Sequence, residues 1–123
     1  MGAPSKRREA IRKLLQEASG PLSANELWLA LQESGIGLAT IYRTLKQGVE
    51  DGALREVDLP GSQARYEPAD RTHHHHFLCS DCKRVLDLEG CVPGLETILP
   101  PHFRLTGHEI LLFGQCDDCC AAA

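Results

Sequence analysis

The sequence predicts an α+β chain in which an N-terminal winged helix-turn-helix domain precedes a small α/β domain. Three observations carry this prediction. Apolar residues recur at helical spacing in three successive segments, the last of which ends at Gly52. Two short extended segments then flank Pro60-Gly61-Ser62, as the strands of a β-hairpin flank its turn. Beyond residue 72 the chain changes to short strand-like segments in which histidine and cysteine cluster.

The first three segments are predicted to be the helices of a helix-turn-helix core, because three short helices with brief turns are typical of that motif. The first helix begins near Ser5. The second follows a capping box, in which Ser23 and Glu26 each bind the backbone amide of the other. The residues predicted to face the core are Ile11, Leu14, Leu15, Ala18, Leu27, Ala30, Leu31, Ile41, Leu45 and Val49.

The predicted helices and hairpin place a winged-helix domain at residues 1–67. The segment at 68–72 is polar and short of apolar residues, which predicts a hinge, and a second domain follows at 73–123. A helix is predicted near residues 92–99 of the second domain. Its strands are predicted at 76–79, 84–88 and 109–113.

The net charge of −4 is unevenly distributed along the chain. Residues 1–50 hold seven Lys and Arg against five Asp and Glu, whereas residues 51–123 hold six against twelve. Any contact with nucleic acid is therefore expected in the first half. The sequence contains no apolar stretch of the roughly 18 residues that a membrane span requires, which predicts a cytoplasmic protein.

Four of the six cysteines form two pairs with the spacing of metal ligands, Cys79-x-x-Cys82 and Cys116-x-x-Cys119. A reducing cytoplasm favours metal binding over disulfides. Two such pairs complete a tetrahedral site, so structural Zn(II) is predicted. The ion would close a loop of 33 residues and staple a small domain. Redox-active or free thiols are the alternative interpretation.

The two remaining cysteines, Cys91 and Cys120, have no partner at that spacing. Cys91 is expected to be a small buried residue, because a free cysteine packs as a compact apolar group. No role is predicted for Cys120.

A run of four histidines precedes Cys79, and successive side chains on an extended backbone point to opposite faces. One face then carries His74 and His76, and the other carries His73 and His75. Carboxylates or a further histidine would complete each pair. The candidates are Glu67 and Asp87 for the first pair, and His108 with Glu96 or Glu89 for the second. Imidazole with carboxylate suits zinc, iron and manganese. An expression tag or a solvated patch is the alternative.

The third helix is the predicted DNA-reading element. It keeps Ile41 and Leu45 inward and presents polar and basic side chains elsewhere. Such side chains suit base edges and phosphates, although a similar face is often merely solvated. The predicted DNA-binding residues are Thr40, Tyr42, Arg43, Thr44 and Lys46.

Three motifs together resemble the ferric uptake regulator family, whose members include iron, manganese, zinc and peroxide sensors. They are Gly37-Leu-Ala-Thr-Ile-Tyr-Arg-Thr-Leu45, His73-His-His-His-Phe-Leu-Cys-Ser-Asp-Cys82 and Gly114-Gln-Cys-Asp-Asp-Cys119. The resemblance implies that the second domain is an α/β dimerisation domain. It also implies a homodimer that reads pseudo-palindromic double-stranded operator DNA.

The resemblance also implies three metal sites by position. The structural zinc ligands would be Cys79, Cys82, Cys116 and Cys119. The regulatory ligands would be Glu67, His74, His76 and Asp87. The ligands of an additional site would be His73, His75, His108 and Glu96.

Two positions depart from the family pattern. Pro21 stands where iron and peroxide sensors carry a histidine, which leaves Glu56 and Asp58 as candidates for an interdomain ligand. Ala69 stands where many zinc sensors carry a cysteine, which argues against zinc sensing.

The predicted function is metal-responsive repression of genes for metal uptake and homeostasis. Mn(II) or Fe(II) is favoured as the sensed ion because the regulatory ligands supply only nitrogen and oxygen. A zinc uptake regulator is the alternative, and peroxide sensing stays open. A metal-dependent hydrolase is a distant alternative, since the chain lacks a general-base motif such as His-Glu-x-x-His. The remaining alternative is an adaptor that is stabilised by zinc and binds protein instead of DNA.

Overall fold

The computed structural model describes residues 6–122 and divides into two compact units after Thr72. The predicted hinge, residues 68–72, lies with the first unit. There the Arg71 guanidinium donates a hydrogen bond to the carbonyl of Leu15 at 2.9 Å. Whether this segment bends as a hinge stays a prediction.

The first unit is a winged helix, as predicted. Its three-stranded sheet has the order β1-β3-β2, and both pairings are antiparallel. Its elements are α1 (Lys6–Glu17), β1 (Leu22–Ser23), α2 (Ala24–Ala30), α3 (Leu38–Glu50), β2 (Leu54–Val57) and β3 (Arg65–Pro68). The hairpin of β2 and β3 is the wing.

One inward-facing residue was predicted wrongly in α3. Ile41 and Leu45 are fully buried, but Val49 is 37% exposed and Gly48 takes the inward position instead. With 3.6 residues per turn, the next residue on the buried face after Leu45 can lie three or four positions later, and in α3 it lies three positions later, at Gly48. A β carbon at Gly48 would lie 2.5 Å from Cδ1 of Leu54, so glycine lets the start of the wing pack directly on the helix.

The capping box at the start of α2 is confirmed, but Ala30 at the end of this helix is exposed and not buried as predicted. The Ser23 hydroxyl accepts from the Glu26 amide at 3.2 Å, and the Glu26 carboxylate accepts from the Ser23 amide at 2.9 Å. That carboxylate also pairs with Arg65 of β3, whose buried guanidinium donates to the carbonyl of Pro21. One glutamate therefore fixes both the start of α2 and its position against the wing.

The second unit is a small α/β domain built on a three-stranded sheet of order β5-β4-β6. The central strand runs antiparallel to β5 and parallel to β6. The elements are β4 (His75–Cys79), β5 (Val85–Leu88), β6 (Leu111–Gly114) and α4 (Asp117–Ala122). The ends of β4 and β6 that carry Cys79 and Gly114 therefore lie side by side.

The helix predicted near residues 92–99 is wrong, because the segment forms only a 3₁₀ turn at Leu95–Ile98. Gly94 precedes the turn in the left-handed conformation with φ of 80°. Leu99 follows it in an extended conformation, which is the one that a residue before proline prefers. Both ends of the segment therefore block helix growth.

Within residues 6–122, no helix combines the length and the apolar composition needed to cross a bilayer.

Candidate metal centres and nucleic-acid interface

The four predicted zinc ligands lie together at one end of the second unit's sheet. Cys79 ends β4, Cys82 follows in a tight turn, Cys116 follows β6, and Cys119 lies in α4. The turn closes through a hydrogen bond from the Lys83 amide to the Cys79 carbonyl, with Lys83 at φ of 66°. Strand pairing and a tight turn thus gather four residues that are distant in sequence.

The sulfur positions fit a tetrahedral ion. The Cys79 and Cys119 sulfurs are 3.6 Å apart, and those of Cys82 and Cys116 are 3.7 Å apart. All four lie within 4.8 Å of one another. Zinc–sulfur bonds of about 2.3 Å at tetrahedral angles place the sulfurs about 3.8 Å apart. The cluster is therefore close to the geometry that zinc requires.

Hydrogen bonds within the cluster shift the pKa values of its thiols. The backbone amides of Cys82 and Cys116 both donate to the Cys79 sulfur at 3.4 Å, and these bonds lower the pKa of Cys79 to about 6. Hydrogen bonds to Cys116 and Cys79 raise the pKa of Cys119. A divalent ion bound among the four sulfurs would favour the thiolate form of each.

His74, His76 and Asp87 form a second cluster across β4 and β5, where His76 and Asp87 are register partners. The Nε2 atoms of the two histidines are 3.2 Å apart. Oδ1 of Asp87 lies 3.5 Å from the His74 nitrogen and 3.4 Å from that of His76. Three nitrogen and oxygen atoms thus converge on one point, and the three side chains are only 8 to 15% exposed.

Glu67, the remaining predicted regulatory ligand, lies in β3 of the first unit. Its side chain is only 1% exposed, and Oε1 accepts two hydrogen bonds from Arg55, at 2.9 and 3.2 Å. Of the two wing alternatives, Glu56 lies in β2 and Asp58 just beyond it, and both are exposed.

His73, His75 and His108 form a third cluster on the opposite face of β4. The Nε2 atom of His108 is 3.2 Å from that of His73 and 3.3 Å from that of His75. Burial and the neighbouring imidazoles lower the pKa of His75, which keeps it neutral and available as a ligand.

The fourth member of this cluster differs from the prediction. Glu96 is exposed on the 3₁₀ turn and lies outside the cluster, and Glu89 is exposed as well. The Cys91 sulfur lies instead 3.4 Å from Nε2 of His75. The prediction that Cys91 is a buried apolar residue is wrong, because Cys91 is exposed. The sequence alone gives no signal for this contact, because the pairing of β4 with β5 places the residues just after β5 beside the start of β4.

The outer face of α3 carries all five predicted DNA-binding residues, and each is exposed or half-buried. Tyr42 is half exposed, and Arg43 donates to the Thr40 hydroxyl at 3.2 Å. An open groove of about 540 Å³ separates this helix from the start of α1. The residues that line it are Lys6, Arg7, Arg8, Thr40, Arg43, Thr44 and Gln47. Four of the seven are cationic, which suits a phosphate backbone. Gln47 also lines the groove, although it is not among the residues predicted from the sequence to bind DNA.

The amino-acid sequence matches one family model over residues 4–110, that of the ferric uptake regulator family. This match agrees with a winged helix that has a basic groove and with a small domain in which cysteines and histidines cluster. The chain belongs to this family. Its relatives include the ferric uptake regulation protein of Campylobacter upsaliensis, 30% identical over 94% of this chain and 78% of that protein. The Escherichia coli K12 protein of the same name is 33% identical, over 86% of this chain and 76% of that protein.

Solved structures of the family confirm the architecture. The Vibrio cholerae ferric uptake regulator matches with a TM-score of 0.72 at 31% identity, over 93% of this chain and 92% of that one. A zinc-bound manganese uptake regulator matches with a TM-score of 0.79 over 94% of this chain and 91% of that one, but its 23% identity bears on the fold alone. This ferric uptake regulator family member is thus a metal-responsive transcription regulator, with a DNA-binding domain followed by a dimerisation domain.

Proposed function

We propose that this family member is a repressor that binds operator DNA when Mn(II) or Fe(II) occupies a regulatory site made by His74, His76, Asp87 and Glu67. The observation that carries the proposal is the convergence of two imidazole nitrogens and a carboxylate oxygen at 3.2 to 3.5 Å. These three residues offer no sulfur, and such a donor set suits manganese and iron as well as zinc. The relatives named as ferric uptake regulation proteins support the iron reading.

Zn(II) at the four cysteines has a separate, structural role in this proposal. The sulfur separations of 3.6 and 3.7 Å fit that ion, and each of its four positions is filled by a protein ligand. A closed site of this kind stabilises a fold and leaves no position for a substrate. The four-cysteine site therefore does not support the alternative of a metal-dependent hydrolase.

Glu67 would link the regulatory site to the DNA-binding unit, because it is the only one of the four proposed ligands in that unit. Its carboxylate accepts two hydrogen bonds from Arg55, which fix its position in the wing. A metal ion that binds Glu67 together with the second unit's ligands would favour the arrangement of units that fits the operator. Cation and DNA would then strengthen each other's binding by the same factor.

A homodimer on a pseudo-palindromic operator completes the proposal. The second unit exposes large apolar side chains, with Ile98 at 80% and Phe103 at 67%, and Phe113 on the edge strand β6 is exposed too. An apolar surface on so small a domain fits contact with a second copy. Two winged helices related by a two-fold axis would read two half-sites.

The test is operator binding by protein that holds zinc only at the cysteines, titrated separately with Mn(II), Fe(II) and Zn(II) at fixed salt, with Fe(II) handled anaerobically. The duplex is selected from a randomised pool under each cation. Wild type is compared with His74→Ala and with a matched control, His102→Asn. His102 lies outside the three clusters, and its φ of 71° is one that asparagine tolerates.

The proposal expects Mn(II) or Fe(II) to switch on binding in wild type and in the control, but not in His74→Ala. A response to Zn(II) alone would identify a zinc uptake regulator instead. Binding that ignores every cation would overturn the regulatory assignment. Absence of operator binding under every cation would favour an adaptor role.

Operator binding also gives a prediction for α3. Arg43→Ala is expected to weaken operator binding by about 1–3 kcal/mol and to relax base preference, because a bidentate contact to guanine is lost. Fluorescence anisotropy with the selected operator and with single-base variants measures both effects. Arg104→Ala is the control, because this exposed arginine lies outside the groove. Equal losses in the two variants would mean that Arg43 contributes only general charge.

A further inference from the structure

We infer that His73, His75, His108 and Cys91 form a zinc site in which the Cys91 thiolate is the fourth ligand. This site would select zinc, while the nitrogen and oxygen cluster on the other face of the same strand would not. The inference does not rest on the proposed repressor function, since it concerns the second unit alone.

Strand register explains why Cys91 reaches the histidines. His75 pairs with Leu88 at the end of β5, so the residues just beyond β5 lie beside the residues just before β4. Gly90 turns the chain with φ of 93°, a conformation that glycine adopts without strain, and Cys91 follows directly. The sheet itself thus places the cysteine on the face that carries His73 and His75.

Four distances among the ligand atoms fit a tetrahedral zinc ion, and all four atoms lie within 4.8 Å of one another. Zinc–nitrogen bonds of about 2.0–2.1 Å and a zinc–sulfur bond of about 2.3 Å imply nitrogen pairs about 3.3 Å apart and nitrogen–sulfur pairs about 3.6 Å apart. The nitrogen of His108 is 3.2 Å from that of His73 and 3.3 Å from that of His75. The Cys91 sulfur is 3.4 Å from the His75 nitrogen and 3.7 Å from the His108 nitrogen.

The sulfur determines which ion is preferred. A thiolate favours zinc over the harder Mn(II), whereas a carboxylate at the same position would suit both. The two acids predicted from the sequence, Glu96 and Glu89, lie outside the cluster. On binding, Zn²⁺ would displace the thiol proton of Cys91 to solvent and form a zinc–sulfur bond, with no change of oxidation state. Cys91 and His73 are exposed, so the ion has a path into the site.

The site would also anchor a poorly packed segment. No residue from 92 to 107 is buried, although the segment includes Ile98 and Phe103. A metal that joins Cys91 and His108 to β4 would close this loop at both ends, which limits its freedom where a core does not. Zinc here would therefore order the apolar surface proposed to contact a second copy.

The experiment uses full-length protein stripped to one zinc per chain and titrated with Co(II), whose bonds to thiolate give a near-ultraviolet charge-transfer band. Cobalt at the nitrogen and oxygen cluster gives no such band. Wild type is compared with Cys91→Ser and with the matched control Cys120→Ser, since Cys120 is also exposed but lies outside the three clusters. His74→Ala tests the other face of the strand.

The band is expected in wild type, Cys120→Ser and His74→Ala, and is expected to be lost in Cys91→Ser. Zinc affinity at this site should fall in Cys91→Ser by at least the roughly 10–100-fold that loss of an outer-shell partner costs. A second readout counts thiols. In Cys120→Ser one reactive thiol should remain at one zinc per chain, and a second zinc should protect it.

A band that survives Cys91→Ser, or a thiol that stays reactive with excess zinc, would overturn the inference. Operator binding is measured separately and is expected to fail in His74→Ala while the band persists. Failure of the repressor proposal and failure of this inference therefore give different results.

Discussion

Cys116→Ser is expected to remove one zinc per chain and to unfold the second unit, while the first unit stays folded. The second unit buries few apolar side chains, among them Leu78 and Val85, so hydrophobic burial stabilises it little. Structural zinc contributes an apparent 10–16 kcal/mol or so in zinc-finger peptides, which is as large as the roughly 5–15 kcal/mol stability of a whole domain. Losing one of four thiolates should therefore cost this unit its fold.

Zinc content by atomic emission and amide exchange by NMR measure the two effects of Cys116→Ser. Trp28, the single tryptophan, lies in α2 and reports on the first unit separately. Cys120→Ser makes the same chemical change at a cysteine outside the cluster and should keep both the zinc and the fold. A Cys116→Ser protein with unchanged zinc and native amide protection would show that hydrophobic packing alone holds the unit.

Elements specified by local chemistry could be predicted from the sequence. The capping box at Ser23 and Glu26 forms because both hydrogen bonds lie within one turn of chain. The division of the histidine run between two faces follows from the two-residue period of a strand, and the structure has that alternation at His74 and His76. Neither result depends on which strands pair.

Features that depend on tertiary contacts could not be predicted. Gly48 faces the core because Leu54 packs on it, and no helical pattern in α3 alone distinguishes that position from Val49. The segment near residues 92–99 has apolar residues at helical spacing, but the left-handed Gly94 prevents a helix. Cys91 joins the third cluster through the register of β4 and β5, whereas residue-type preferences suggest only a buried cysteine.

One short strand, β4, contributes residues to three candidate metal sites with different donor atoms. Its last residue, Cys79, belongs to the all-sulfur cluster, His76 to the nitrogen and oxygen cluster, and His75 to the nitrogen and sulfur cluster. Because donor atoms differ between the clusters, their ion preferences should differ as well. In the proposed assignment, a single strand would therefore carry a structural zinc ligand and a regulatory ligand a few residues apart.

Asp87→Asn is expected to abolish the response of operator binding to Mn(II) or Fe(II) without unfolding the protein. The amide keeps the shape of the largely buried side chain but loses the negative charge that faces His74 and His76 at 3.4 to 3.5 Å. Coupling free energies between ligands are typically about 1–3 kcal/mol, so wild-type affinity for the operator should rise about 5–150-fold on adding the cation. In Asp87→Asn that factor should fall to about one over the same cation range, because the ion no longer binds tightly.

The same coupling also determines how operator DNA changes the affinity for the cation, which gives a second test of the prediction. Saturating operator should tighten cation binding in wild type by the same factor by which saturating cation tightens operator binding. Isothermal titration of Mn(II) with and without operator provides the comparison, and Glu89→Gln, which alters an exposed carboxylate outside the cluster, should behave as wild type. If Asp87→Asn kept the full response, the three-residue cluster would not be the regulatory site. If the two factors differed, the cation would act on operator binding through more than this one equilibrium.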